Sequence, residues 1–322
     1  TDSFRRRVLP TATNNIRLID TLNNSFVSGH YAEVFKEKDS VFITKRAVAI
    51  TVRDNDSIYV HADTLRITGK ADNRILRGYY KARFFKKGLP GENPTSGKCD
   101  SIYVNEKTGI TKLLRKPILW TGENQMTGDT IHLLRNIETS KLDTLKVFKN
   151  AFIIQKDSAG YNQVKGERLI GLFTNNELDT INIEKNTQVI FFSRNEEQEL
   201  VGINNTLSST IQMYLKNQQT SGIRFNKKVS GKLYPPSQFP ENARILPGFN
   251  WYGDERLFNV SDLFRGKPTF ILPKIKGIPL PKVEDDFFDE DSENELQFPE
   301  ASKLSPGHFK KKPEDTEQSE DN

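Results

Sequence analysis

Hydrophobic and polar residues alternate with period two along most of the chain from about Val41 to Lys232, as in Ser57-Ile58-Tyr59-Val60 and Val189-Ile190-Phe191-Phe192. That period, with β-branched and aromatic enrichment, is the pattern of strands with one buried face. Turn chemistry divides the runs at Asp54-Asn55-Asp56, 69–73, Thr108-Gly109, 157–160, Thr174-Asn175-Asn176 and 194–197, where Gly, Asn and Asp accept left-handed backbone. The pattern predicts an almost purely β body, followed by one short helix at 260–264 capped by Asn259 or Ser261.

A phrase recurs through the alternation: an acidic or polar residue, one further residue, then Leu or Ile. It stands at Asp63-Thr64-Leu65, Asp100-Ser101-Ile102, Asp129-Thr130-Ile131, Glu167-Arg168-Leu169 and, more loosely, Asn205-Thr206-Leu207, at intervals of 37, 29, 38 and 38 residues. Repeats of this length signal stacked units that bury their apolar sides against one another. Each anchor leads into a strand, a turn and a returning strand. The expected partners are 58–65 with 75–85, 102–104 with 110–114, 131–134 with 145–154, and 169–173 with either 178–183 or 189–192. The expected architecture is therefore all-β, a repetitive ladder of strand-turn-strand rungs. Apolar positions of one parity, including Ile58, Val60, Ile118, Trp120, Val147, Ala151, Ile153, Ile190 and Phe192, are expected to share one interior, either a closed core or an apolar trough.

Three segments depart from this grammar. Lys86 to Lys98 holds Gly88, Pro90, Gly91, Pro94 and Gly97 and reads as a surface loop. After Lys232 the chain is rich in Pro and Gly, and 265–322 reads as a disordered tail, acidic then basic. The division expected is 1–24 as a linker or partial strand, 25–264 as the β domain and 265–322 as the tail.

Charge sharpens the picture because it is uneven. Residues 265–322 hold 9 Lys/Arg against 14 Asp/Glu, which leaves 38 against 28, a surplus of ten cations, in the body. Such a field favours anionic partners without choosing among them. Mean hydropathy is −0.62, and the longest apolar runs are a few residues, far short of the ~20 that a membrane-spanning helix needs. The chain opens at Thr1 without a signal core and reads as a processed product or a piece of a longer protein.

Candidate chemistry is sparse. Cys99 is the only cysteine, so no intrachain disulfide or thiolate zinc site is available. His30, His61, His132 and His308 are scattered; His61 with Asp63 is the nearest thing to a metal pair and lacks a third ligand. The recurring Asp63, Asp100, Asp129 and Glu167 invite comparison with a catalytic carboxylate ridge, but a residue repeated in every unit reads better as a turn cap. No nucleophile elbow, phosphate loop or dinucleotide fingerprint is present, so no catalytic residue and no cofactor are expected. The 81–87 run comes nearest to a nucleic-acid patch and reads better as a strand with a charged solvent face.

Gly29-His30-Tyr31-Ala32-Glu33-Val34, the run from Asp56 to Leu65, Met126-Thr127-Gly128-Asp129-Thr130-Ile131 and the stretch from Pro240 to Arg256 together resemble the OstA-like family, relatives of the LptA periplasmic lipopolysaccharide carrier, in its Bacteroidetes-type form. The resemblance covers roughly residues 25–260 and implies a partly open β-jellyroll, not an enzyme, that takes lipid A acyl chains in a hydrophobic slot. It further implies a periplasmic location, partners that join edge to edge by β-augmentation into a bridge, and no nucleic-acid ligand. On this reading the slot is lined by Ile58, Val60, Ile118, Trp120, Ile131, Val147, Ile153, Leu169, Ile190 and Phe192. The competing expectations are a β-helical polysaccharide-acting enzyme and a structural cell-surface solenoid.

Overall fold

The structure is a computed structural model. It describes residues 11–20, 24–53, 56–70, 73–88, 93–174, 177–216 and 219–267. The chain divides into two units, Thr1–Pro281 and Lys282–Asn322, and all described residues belong to the first. Of the expected tail, residues 265–267 are described; the remainder lies outside the described residues.

The body is antiparallel β throughout, one continuous sheet of eighteen strands. In chain order they are β1 Thr11–Asp20, β2 Ser25–Phe35, β3 Ser40–Thr44, β4 Val48–Arg53, β5 Asp56–His61, β6 Thr64–Thr68, β7 Ile75–Lys86, β8 Thr95–Asn105 and β9 Ile110–Leu114. There follow β10 Ile118–Thr121, β11 Asn124–Thr127, β12 Thr130–Arg135, β13 Leu142–Asp157, β14 Gly160–Thr174, β15 Glu177–Arg194, β16 Leu200–Lys216, β17 Gln219–Asn226 and β18 Ser230–Tyr234.

The sheet is folded along a seam into two leaves. Every chain segment that crosses the seam breaks its pairing there, and the crossings alternate between two kinds. At one kind two consecutive residues adopt left-handed backbone: Lys45-Arg46, Tyr80-Lys81, Arg115-Lys116, Lys149-Asn150 and Lys185-Asn186, which begin 35, 35, 34 and 36 residues apart. The other kind is the recurring anchor phrase. Its backbone N–H donates to the carbonyl of the facing left-handed pair: Asp63 to Tyr80 at 3.0 Å, Asp100 to Arg115 at 3.2 Å and Asp129 to Lys149 at 3.2 Å. Before Asp129 and Glu167 the glycine gives clearance: a Cβ on Gly128 would stand 2.3 Å from Val147 Cγ1, and one on Gly166 2.5 Å from Ile183 Cγ2. The loose fifth match is corrected, because the crossing in β16 falls at Ser208-Ser209, where the Ser209 N–H donates to Lys227.

The first leaf contains β3, β6, β9, β12, β17 and one side of each long strand that crosses the seam, such as 75–79 and 142–148; the second contains β4, β5, β10, β11, β18 and the other side, such as 82–86 and 151–157. The main core lies between the leaves, with Leu65, Ile102, Leu113, Ile131, Val147, Leu169 and Ile183 from the first facing Val60, Ala82, Phe84, Leu119, Met126, Ile153 and Val164 from the second. Each Leu or Ile buried here contributes about 1.5–3 kcal/mol relative to exposure. The expected pairing of 58–65 with 75–85 is resolved into two ladders split at Asp63: β5 on 83–86 and β6 on 75–79.

The loop expected from Lys86 to Lys98 is shorter than its composition suggested. Thr95 to Lys98 is strand, pairing Lys86↔Thr95, Phe85↔Ser96, Phe84↔Gly97 and Arg83↔Lys98. Gly97 is a close-approach glycine beneath the Phe84 ring, not a turn residue.

Candidate functional site

Burial grades away from the seam. On the first leaf Leu65, Ile102, Val147 and Leu169 near the seam are fully buried, while Ile67, Leu76, Val104, Leu142 and Phe173 further out are only half-buried, though packed on the same core. The second leaf does the same with Val60 against Ile58, and Val189 against Phe191. A row of half-buried apolar side chains thus follows the lip of the folded sheet opposite the seam.

The facing lip is polar. Asp56 and Lys86 share the inward parity of Ile58 and Phe84 and pair at 2.8 Å. The Asp56 carboxylate also accepts the Ser57 N–H at 2.8 Å and the Gly88 N–H at 3.2 Å. Thr121, Asn124, Gln155 and Asn162 continue this lip, with Asn162 Nδ2 donating to Gln155 Oε1 at 3.3 Å. The two lips of the folded sheet thus differ in polarity, apolar on the first leaf and polar on the second.

A strap, residues 235–267, covers the outer face of the second leaf and was not legible in the alternation. Two fully buried glutamines hold it. Gln163 Nε2 donates to Arg244 O at 2.8 Å and its Oε1 accepts the Leu246 N–H at 2.9 Å. Gln125 repeats the arrangement with Asn250 O and the Tyr252 N–H, both at 2.7 Å. Beneath the strap lies a second apolar cluster of Phe152, Ile154, Ile190, Phe192, Ile203, Phe239 and Leu246, with Tyr161, Phe249 and Trp251 packed on it. Further along, Arg83 Nη1 donates to the carbonyls of Asp262, Leu263 and Arg265 at 2.8–3.1 Å. The Phe264 ring lies 4.6 Å from His61 and under the Arg46 guanidinium. The expected short helix is here, a 3₁₀ turn at Val260–Phe264 with Asn259 as cap and Asp262 completing a capping box.

The ten slot residues read from sequence therefore do not share one interior. Val60, Ile131, Val147, Ile153 and Leu169 are in the main core with Ile58 at its half-buried margin. Ile190 and Phe192 belong to the cluster under the strap. Ile118 and Trp120 flank Leu119, whose side chain is in the main core, so they face the strap side. The second leaf is buried on both faces, and period two then carries no sign of which parity points inward. Ile67, Leu76, Val104, Leu142, Phe173 and Phe191, half-buried at the margin of the main core, were missed. The signal was available in the parity continued outward from each anchor.

The anchor carboxylates act locally. Asp100 accepts from Ser101 Oγ at 2.7 Å and pairs with Arg115 at 2.9 Å, which hold its carboxyl below the usual range, the Ser101 bond foremost. Asp129 accepts from Asn150 Nδ2 at 3.0 Å, and Asp63 pairs with Lys267. Among the described residues no group of three or more His, Cys, Asp or Glu side chains is placed to hold a metal. Among the described residues no helix is long and apolar enough to cross a membrane.

No protein-family model matches the chain, and no curated protein matches it. Among solved structures it is similar to LptH of Pseudomonas aeruginosa, titled the LptA homologous periplasmic component of the conserved lipopolysaccharide transport device. The TM-score is 0.33 and the identity 13%, over 38% of this chain and 83% of that one.

Proposed function

We propose that the protein is a lipid-carrying module which holds the acyl chains of lipopolysaccharide in the trough between the leaves, as part of a periplasmic bridge to the outer membrane. The observation that carries this reading is the half-buried apolar margin of the first leaf, Ile67, Leu76 and Val104 in direct cross-strand register with Leu142 and Phe173 further along, opposite a polar lip. Each methylene taken from water there is worth ~0.8 kcal/mol, so an acyl chain gains affinity along the row without any single deep pocket. Shallow binding spread over many rungs suits a ligand that must move on. The motif resemblance noted above supports the same reading. So do the ends of the sheet: among the described residues β1 pairs only with β2, and β17 and β18 pair only with β16, which leaves strand edges for partner modules.

The test is photocrosslinking of lipopolysaccharide in cells, with a photoreactive residue at Leu76 or Phe173 in the full chain. Phe258, exposed on the strap, and Trp120, beneath it, serve as controls. Labelling at 76 and 173 and not at the controls is expected. Labelling equal at all four positions, or absent from 76 and 173, overturns the proposal.

A further inference from the structure

The outer face of the first leaf carries cations in direct cross-strand register. Reading across from β3, the row runs Phe42, Arg66, Arg77, Tyr103, Lys112, His132 and Lys146, each the partner of the next. Arg66 faces Arg77, and Lys112 and Lys146 flank His132. Like charges directly opposite one another destabilise a sheet. These strands are central, so the cations do not serve to protect an edge.

The row ends beyond Phe42 at Glu33 on β2, and among the described residues no carboxylate stands beside it from Arg66 to His132. The two rows on either side of this one, from β3 to β12, consist of Thr, Ser, Asn, Tyr and aliphatic residues and hold no carboxylate. The seam, by contrast, interleaves its basic pairs with Asp63, Asp100, Asp129 and Glu167. Arg66 and Arg77 are oriented by neutral hydroxyls, Ser40 at 3.3 Å and Thr68 at 3.1 Å. An uncompensated cationic row held in place at a cost to the sheet is a surface kept for an anion.

We propose that this row is a binding face for an acidic polysaccharide, laid across the strands with its carboxylates on the cationic rungs. From β6 to β13 the row spans roughly 24 Å at about 4.8 Å per strand, with Arg66 and Arg77 on adjacent strands and Lys112 and Lys146 each two strands further on, so it presents charges singly along a line. Single-stranded nucleic acid fits less well because its bases need free aromatic faces. Here the Tyr103 ring lies between Arg77 at 5.2 Å and Lys112 at 5.5 Å, and Phe42 is covered by Arg66 at 5.0 Å. A membrane surface fits less well because among the described residues no large apolar side chain is exposed on this face between β3 and β12. The proposal concerns the face of the leaf turned away from the trough and does not depend on the lipid reading.

The probe is an acyl-free polygalacturonate oligomer, titrated against the full chain at low and moderate salt. Arg77→Gln with Lys112→Gln should weaken binding at least tenfold and flatten its salt dependence. Lys185→Gln with Lys227→Gln on the seam, an equal loss of charge, should change affinity less than twofold. Arg66→Gln with Lys146→Gln repeats the test should the first pair melt early. Equal loss from the row and seam variants, no saturable binding at low salt, equally tight binding of a single-stranded oligonucleotide, or binding only to anionic lipid vesicles would each overturn it. Photocrosslinking at Leu76 should be unchanged in the row variants, which separates failure here from failure of the lipid reading.

Discussion

Gln163 grips Leu246 as a neighbouring strand would: its Oε1 accepts the Leu246 N–H at 2.9 Å while its amide donates back to the strap two residues earlier. A side chain here replaces a β ladder, and the strap crosses the leaf without adding a strand. Gln163→Leu would leave one strap N–H and one carbonyl buried without partners, at about 1–3 kcal/mol each. A loss of roughly 2–5 kcal/mol in urea unfolding is expected. Limited proteolysis should then cut first within 236–267. Unchanged stability, with cleavage elsewhere, would show that apolar contacts alone hold the strap.

His61 sets a pH dependence. Its Nδ1 lies 2.7 Å from Ala47 O, and Nε2 is buried without a hydrogen-bond partner. Burial, reinforced by Lys267 and Arg83 and opposed by the Ala47 bond and Asp63, lowers its pKa to about 4. Arg46 reaches the same place from the seam, its guanidinium 4.6 Å from the Phe264 ring. Because the folded pKa lies below the unfolded one, the unfolded chain takes up the proton first as pH falls. Stability from this group is intact above pH ~6.5 and declines toward pH ~4, by on the order of 3 kcal/mol. His61→Gln should flatten the profile of unfolding free energy between those limits; a slope that persists unaltered would assign it to other groups.

What the sequence showed and hid follows from the same geometry. The anchors at Asp63, Asp100 and Asp129 were visible because small-acid-x-aliphatic is an unusual phrase. Their partners at the seam were not, since Tyr80-Lys81 and Arg115-Lys116 carry no Gly or Asp to announce left-handed backbone. Strand content was legible from period two. The inward parity was legible where one face meets solvent, as at Ile131 and Val147 on the first leaf, and lost at Ile118, Trp120, Ile190 and Phe192, where the strap buries the other face. Gln125 and Gln163 looked like surface residues because only the fold brings 244–252 over them. The Arg66-to-Lys146 row needs the register of six strands before its members become neighbours.

Gly97 tests the corrected loop. A Cβ there would stand 2.2 Å from Phe84 Cε1, deep between the leaves. Gly97→Ala must displace a buried ring and is expected to destabilise by roughly 1–3 kcal/mol, as overpacking of a filled core does. Gly222→Ala, whose nearest neighbour would be Tyr214 at 3.8 Å, is the control and should be tolerated. Phe84→Leu in the Gly97→Ala background should recover part of the loss, a coupling that a loop glycine would not show.

Cys99 reports whether the core near the seam opens. Its side chain is buried, and its Sγ donates to Ser101 O at 3.2 Å. Burial pushes the thiol pKa up to about 12, so almost none of it is thiolate, the reactive form, near neutral pH. Alkylation by iodoacetamide at pH 8 should therefore proceed only through unfolding. Its rate should rise with urea in step with the equilibrium constant for global unfolding, and faster in Gly97→Ala, whose altered residue lies two positions away on β8. If lipid enters by spreading the leaves at the lip alone, saturating lipopolysaccharide should leave this rate unchanged or slow it. Acceleration by the lipid would mean that the leaves part down to the seam, and the trough would then be deeper than the burial gradient from Leu65 to Ile67 defines.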